Sequence, residues 1–236
     1  MPAAAGGEGC WIMIGVITGL RSEARCLPPA VDRIIMCSGP DPERARQAAR
    51  TLIERGARGL ISFGVAGGLD PAPRPGDLVL PDVVVLPDGG RIAVDAGWHA
   101  RIATPLRSAG PRCHESALAG AEQLLPTTPD KHRLHEATGA LAADLESHAV
   151  AEAAARAGLP FVVIRAIADP LDQPLPEAAR VAIGPKGEVR VLAVLNMLRQ
   201  YPGDLWPLLR LGWQSARAHA TLRSVALLAG AALDLD

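Results

Sequence analysis

The segment Phe161-Val162-Val163-Ile164-Arg165-Ala166-Ile167 constrains this chain more than any other. It is apolar almost throughout and does not alternate apolar with polar residues. Such a run suits a strand buried on both faces, at the centre of a sheet covered by helices on either side. Ile12 to Ile17 reads the same way, Leu60 to Phe63 is a third strand, and Val31 to Cys37 is a further candidate. The stretches between carry helix signals. Asp41-Pro42-Glu43 opens one well, since Asp caps, Pro suits the first turn and Glu complements the helix dipole. Ala45, Ala48, Ala49, Leu52 and Ile53 supply its inner face, and Gly56 stops it.

Further along, Leu78 to Leu86 reads as one or two strands broken at Pro81, and Ile92 to Val94 as a short strand. Residues 87–140 are otherwise hard to read, apart from a helix at Pro129 to Ala137. Leu141 to Asp144 is a short strand, and Glu146 to Ala157 an Ala-rich helix ended by Gly158. Residues 170–188 are rich in Pro and read as a loop; Val189 to Arg199 and Leu205 to Leu228 read as helices. Alternation of strands and helices predicts an α/β fold. One domain is expected over 11–236, with a flexible start over 1–10 and C-terminal helices over 189–236. A length of 236 residues is enough for one well-buried core.

Composition narrows the function classes. A net charge of −1 gives no global attraction to nucleic acid, and aromatic residues at 3% leave few platforms for stacking single-stranded bases. Cys10, Cys26, Cys37 and Cys113 form no C-x-x-C pair, which suits reduced thiols in a cytoplasmic protein. The apolar run from Cys10 to Leu20 is too short to span a bilayer and has no preceding Lys or Arg, so a buried first strand is expected rather than a span or a signal peptide. His132 and His135 form a lone H-x-x-H, expected on a helix surface because metal sites need three or four ligands.

Ligands of open α/β sheets sit beyond the carboxyl ends of strands. Four such ends carry unusual residues: Thr18 to Glu23, the glycine-rich Gly64-Val65-Ala66-Gly67-Gly68, Arg165 to Asp169, and Asp144 with Glu146. The glycine segment reads as a loop. It is neither G-x-G-x-x-G nor a P-loop, and either lets backbone approach a ligand closely or simply makes a tight turn. Asp169 ends an apolar strand just before Pro170. A carboxyl there is expected to be partly desolvated, which raises its pKa and suits a general acid; a turn cap is the alternative. Glu146 can be read as complementing its helix dipole, and Glu23 as a surface residue of a first turn.

Taken together, these segments resemble the purine nucleoside phosphorylase and nucleosidase family, especially the methylthioadenosine/adenosylhomocysteine nucleosidases. The matching stretches are Ile14 to Ile17 with Glu23; Ser38-Gly39; Phe63 to Leu69 followed by Pro75-Gly76-Asp77-Leu78-Val79; and Asp144-Leu145-Glu146 through Pro160 to Asp169. The resemblance implies a three-layer α/β/α fold around a mixed, partly closed sheet. It also implies roles. Asp169 protonates the purine at N7, Glu146 holds ribose hydroxyls beside Asp144, Leu145 packs on sugar or base, and Glu23 with Arg165 holds or activates a nucleophilic water. The backbone at Gly64, Val65, Ala66 and Gly67, together with Ala168, is expected against the substrate. Val65 and Ala168 depart from the family pattern, which has Ser at both. No cofactor and no metal are implied, with phosphate as co-substrate only for a phosphorylase. A glutamate at position 23 repels phosphate, so hydrolysis is favoured.

A closer similarity is to the hopanoid-associated branch, carried by Thr18-Gly19-Leu20, Glu23 to Leu27, Gly67 to Pro71, Glu146 to Glu152, and the tail from Gly184-Pro185 to Pro202-Gly203-Asp204-Leu205. It implies adenosylhopane as substrate, with release of adenine, and a homo-oligomer. The segment 205–228 places Leu205, Leu208, Leu209, Trp213, Ala216 and Ala220 at helical spacing among Arg210, Arg217 and Arg223. Such a helix either packs on the core or rests peripherally on the inner face of a membrane.

Overall fold

The computed structural model describes residues 13–235 and, at Arg180, the backbone only. The expectations for residues 1–10, for Cys10 and for the first residue of the run at Ile12 lie outside the described residues. In chain order the elements begin β1 (Ile14–Thr18), α1 (Arg21–Ala24), β2 (Arg33–Cys37), α2 (Pro42–Glu54), β3 (Gly59–Gly68), β4 (Leu78–Val79), β5 (Val83–Val85), β6 (Arg91–Ala93) and α3 (Ala96–Ala109). They continue with β7 (Cys113–His114), β8 (Leu118–Gly120), α4 (Thr128–Thr138), β9 (Ala142–Asp144), α5 (Ser147–Ala157), β10 (Phe161–Asp169), α6 (Glu177–Arg180), α7 (Val191–Gln200) and α8 (Leu205–Ala229).

Among the described residues, ten strands join one mixed sheet. Its main path runs β6-β5-β8-β9-β3-β10-β4-β7, with β1 pairing β3 and β2 off that path. The long strand β3 is the branch point. Its first half pairs in parallel with β1, its whole length pairs with β10, and Gly67 and Gly68 pair antiparallel with β9. The pleat sorts β10 by parity. Phe161, Val163 and Ile167 enter the layer of α2 and α5, while Val162, Ile164 and Ala166 enter the layer of α3 and α8. This is the expected three-layer α/β/α arrangement, and it explains why these runs show no alternation: both faces are dry.

Local signals explain most elements. Asp41 caps α2 by accepting the Arg44 N–H, and Ala45, Ala48, Ala49 and Leu52 form its buried stripe. Four expectations are corrected. Gly64 to Gly68 is not a loop but the second half of β3; backbone pairing with β10 and β9 overrides the turn preference of glycine. The stretch 87–140 contains the 14-residue helix α3, capped by Asp95 at the Trp98 N–H and buried through Trp98, Ile102 and Leu106 despite an internal Pro105. The segment 170–188 is not wholly loop, because it contains α6. In α8, the apolar stripe read from Leu205 to Ala220 faces outward. The buried face is instead Gln214, Ala218, Thr221, Leu222, Val225 and Ala226, because only the second half of the helix lies over the sheet. Leu205, Trp206, Leu209 and Trp213 stay exposed, Trp206 at 77%, and so do Val191, Leu192 and Leu195 of α7. No helix among the described residues is long and apolar enough to cross a membrane.

The Pro75-Gly76-Asp77 turn holds the far end of β10. Gly76 has φ +91°, a conformation that side chains rarely adopt. Its N–H donates to Ile167 O at 2.8 Å, and the Ile167 N–H donates to Asp77 O at 2.9 Å. Immediately beyond, the β3–β10 register shifts: Ile167 faces Ala66 and Asp169 faces Gly67, with Ala168 as the extra residue. This bulge takes Asp169 out of the alternation that Arg165 and Ile167 follow.

Candidate active site

The ends of β1, β3, β9 and β10 converge on one cavity of about 300 Å³. Its floor is polar and its outer wall apolar. Glu23, on the single turn of α1, is buried. Its carboxylate accepts the Leu20 N–H at 2.7 Å and the Val65 N–H at 2.9 Å, and so ties the end of β1 to β3. Burial raises its pKa, and the nearby Arg165 guanidinium opposes that rise.

Arg165 is fully buried beneath the floor. Its guanidinium pairs with Asp144 and lies 3.4 Å from Glu146 Oε2. It donates to Ser62 Oγ at 2.6 Å and to Ser147 Oγ at 3.1 Å. Asp144 also accepts the Ser147 N–H at 3.0 Å and the Ser147 hydroxyl at 2.5 Å. One guanidinium is thus the shared counter-ion of a cluster of buried carboxylates, which is what makes their burial tolerable. Gly64 stands against both partners: a Cβ there would come within 2.7 Å of the Glu23 carboxyl carbon. Glu146 sits at the start of α5. Burial, only partly countered by Arg165, and the neighbouring Asp144 and Glu23 push its pKa up to about 8. A carboxyl so poised can accept from, or donate to, a vicinal pair of hydroxyls.

Asp169 stands on the other side of the floor, facing Gly67. Burial raises its carboxyl above the usual range, while the Lys131 ammonium pulls it back. Lys131 Nζ lies 2.5 Å from Asp169 Oδ2. Its side chain is 1% exposed, and Lys131 is the buried residue of α4.

The structure brings Glu23, Val65, Ala66, Gly67, Asp144, Leu145, Glu146, Ala168 and Asp169 to the cavity surface. Gly64 and Arg165 stand behind that surface. There Arg165 contacts Asp144 and Glu146. Lys131 was not foreseen. Its one signal in the sequence is scarcity: Lys131 and Lys186 are the only lysines in a chain rich in Arg. His132 is exposed on α4, and His135 Nδ1 lies 2.8 Å from Ala140 O. Among the described residues no three His, Cys, Asp or Glu side chains are grouped as metal ligands would be. The outer wall is formed by Leu20, Leu124, Leu175, Ile183 and, from α8, Leu211.

Residues 29–196 match the family model described as the phosphorylase superfamily. The chain is 27% identical over 175 residues to the 5′-methylthioadenosine/S-adenosylhomocysteine nucleosidase of Mycobacterium bovis, covering 58% of this chain and 69% of that one. In three dimensions it is similar to the enzyme of that name from Helicobacter pylori, solved with butyl-thio-DADMe-Immucillin-A, with TM-score 0.67 at 17% identity over 92% of this chain and 98% of that one. It is also similar to the futalosine hydrolase of Helicobacter pylori, with TM-score 0.65 at 17% identity over 91% and 97% of the two chains.

Proposed function

The chain belongs to the phosphorylase superfamily, and on that premise we propose that it is a nucleosidase cleaving the N-glycosidic bond of a 5′-modified adenosine. The observation that carries this reading is the convergence of Glu23, Glu146 and Asp169 on one cavity, with Asp169 apart from the Arg165 cluster. An oxocarbenium-like transition state needs an acid on the leaving group and a nucleophile on the opposite face of the sugar. In this reading Asp169 donates its proton to N7, so that adenine leaves neutral. Glu146 holds the ribose hydroxyls. Glu23 takes a proton from the attacking water, and Leu145 packs on the substrate.

Water is the proposed nucleophile. A phosphate dianion needs charge-assisted donors, and the cation under the floor, Arg165, is already engaged by Asp144 and Glu146. The relatives named above as nucleosidases and a hydrolase support the same choice.

For the 5′ group we propose a bulky apolar tail, with adenosylhopane as the substrate. A cavity of about 300 Å³ is at the lower end of small-molecule sites. It has room for a nucleoside but not for a fused polycyclic tail as well, so in this reading the tail lies along the apolar wall at Ile183 and Leu211 and leaves the cavity. The exposed apolar side chains of α8 support peripheral contact of 205–228 with a membrane, which would bring a lipid-linked substrate to the cavity. The test is adenine release from adenosylhopane, methylthioadenosine and adenosine, each with and without phosphate. Phosphate-independent release, fastest from adenosylhopane, is expected. Release that requires phosphate would make the enzyme a phosphorylase, and no release from any of the three would overturn the reading.

A further inference from the structure

Lys131 has no part in the chemistry above, yet its ammonium is buried against the general acid. Its three protons have three acceptors: Asp169 Oδ2 at 2.5 Å, Pro170 O at 2.7 Å and Gln173 O at 3.2 Å. An ammonium has no further donors, so none is left for a substrate. The two carbonyls belong to the segment that follows Asp169 directly, so they fix Nζ relative to the carboxyl. Thr127 caps α4 by accepting the Asp130 N–H at 3.2 Å, which anchors the helix start that carries Lys131. A buried ion pair is weak support for stability, since an apolar pair of similar volume serves a core as well or better. A pair placed at the acid of the site calls for a different account.

We propose that Lys131 is a positioning residue for Asp169: it turns Oδ2 away from the substrate, leaves Oδ1 to carry the transferable proton, and neutralises the carboxylate that remains when this proton passes to the purine. The step balances. The Oδ1–H bond breaks, an N7–H bond forms, the glycosidic electron pair leaves with the base, and Asp169 becomes an anion paired with Lys131. Without Lys131 that anion would be left desolvated and unpaired, which opposes the transfer. The position is sensitive to the type of cation, because a compact ammonium fits a three-acceptor pocket that a planar guanidinium does not.

This inference rests on the reading of Asp169 as acid, and the experiment separates the two. Wild type, Lys131→Met, Asp169→Asn and the double variant are assayed for adenine release, with thermal unfolding as the control for folding. Lys131→Met should lower kcat by about 100-fold, within the range of general acid catalysis, with KM within about twofold. The double variant should be no slower than Asp169→Asn alone, since both changes disable one proton transfer. Cleavage of 4-nitrophenyl riboside, whose phenolate departs without a proton, should fall by less than about threefold in Lys131→Met. Full activity of Lys131→Met, equal losses on both substrates, or additive losses in the double variant would each overturn the role of Lys131 while leaving Asp169 in place. An inactive wild type, or an Asp169→Asn variant as fast as wild type, would instead sink the reading beneath it.

Discussion

The floor of the cavity and its rim are built on opposite plans. The floor is a polar cluster in which the charged groups are buried and already engaged: Arg165 with Asp144 and Glu146, Glu23 with two backbone N–H groups, Asp169 with Lys131. The rim is apolar and under-used. It is formed by Leu20, Leu124, Leu175, Ile183 and Leu211, and elsewhere on α7 and α8 the side chains of Leu192, Trp206 and Trp213 are largely exposed. A preorganised floor fixes which bond is attacked, because its dipoles need not rearrange during reaction. An open apolar rim is suited to choosing the group attached to the sugar, since apolar contact scales with area rather than with geometry.

The contrast can be broken or sharpened by substitution. The largest effect is expected at Asp169. Asp169→Asn keeps the shape and removes the acid, so adenine release should fall by about 1,000-fold or more in a direct assay of the base. Next is Arg165→Met, which strips the shared counter-ion from the buried carboxylates and should destabilise the fold by about 3–5 kcal/mol in urea unfolding. At the rim the effect should be smaller and selective. Leu211→Asp should raise KM about tenfold for a substrate with a long apolar 5′ tail and leave methylthioadenosine nearly unchanged; equal shifts for both would remove the distinction between floor and rim.

A fourth expectation concerns pH. The pKa of Glu146 rises on folding from 4.5 to about 8, so the native state holds its proton more tightly than the unfolded chain does. The stability from this group is full below pH 4.5 and is lost as pH rises through about 8. Glu23 and Asp169, raised in the same direction, add to the slope. The melting temperature should therefore fall as the pH is raised over this range, and Glu146→Gln should flatten the fall. The smallest effect is expected for Trp206→Ser, within about 0.5 kcal/mol of wild-type stability because the side chain is largely exposed. Its flotation with anionic vesicles should nevertheless weaken if α8 meets a membrane.

These two regions also differ in how far the sequence revealed them. The strands that carry the floor were legible because burial on both faces leaves apolar runs at 14–17 and, interrupted only by Arg165, at 161–167. Asp169, Glu23 and Glu146 stood out as carboxylates at the ends of such runs. The continuation of β3 through Gly64 to Gly68 was not legible, since local preference favours a turn and only pairing with distant β9 and β10 decides otherwise. The helix α3 was masked by Gly97 and Pro105 within it, although Trp98, Ile102 and Leu106 keep helical spacing. The outward turn of the α8 stripe was hidden for another reason. Two apolar faces compete on that helix, and the one that packs, with Ala218, Leu222, Val225, Ala226 and Ala229, lies further along it than the stripe that begins at Leu205. Lys131 depends wholly on where α4 docks.

The bulge at Ala168 has an implication for how this segment can vary. Arg165 and Asp169 ride on one strand, and the single extra residue sets which way each of them points. Adding or deleting one more residue between them would reverse the outlook of everything downstream, and the acid would turn its back on the base. Across variants of this chain, the stretch from 165 to 169 should therefore tolerate changes of letter but not of length.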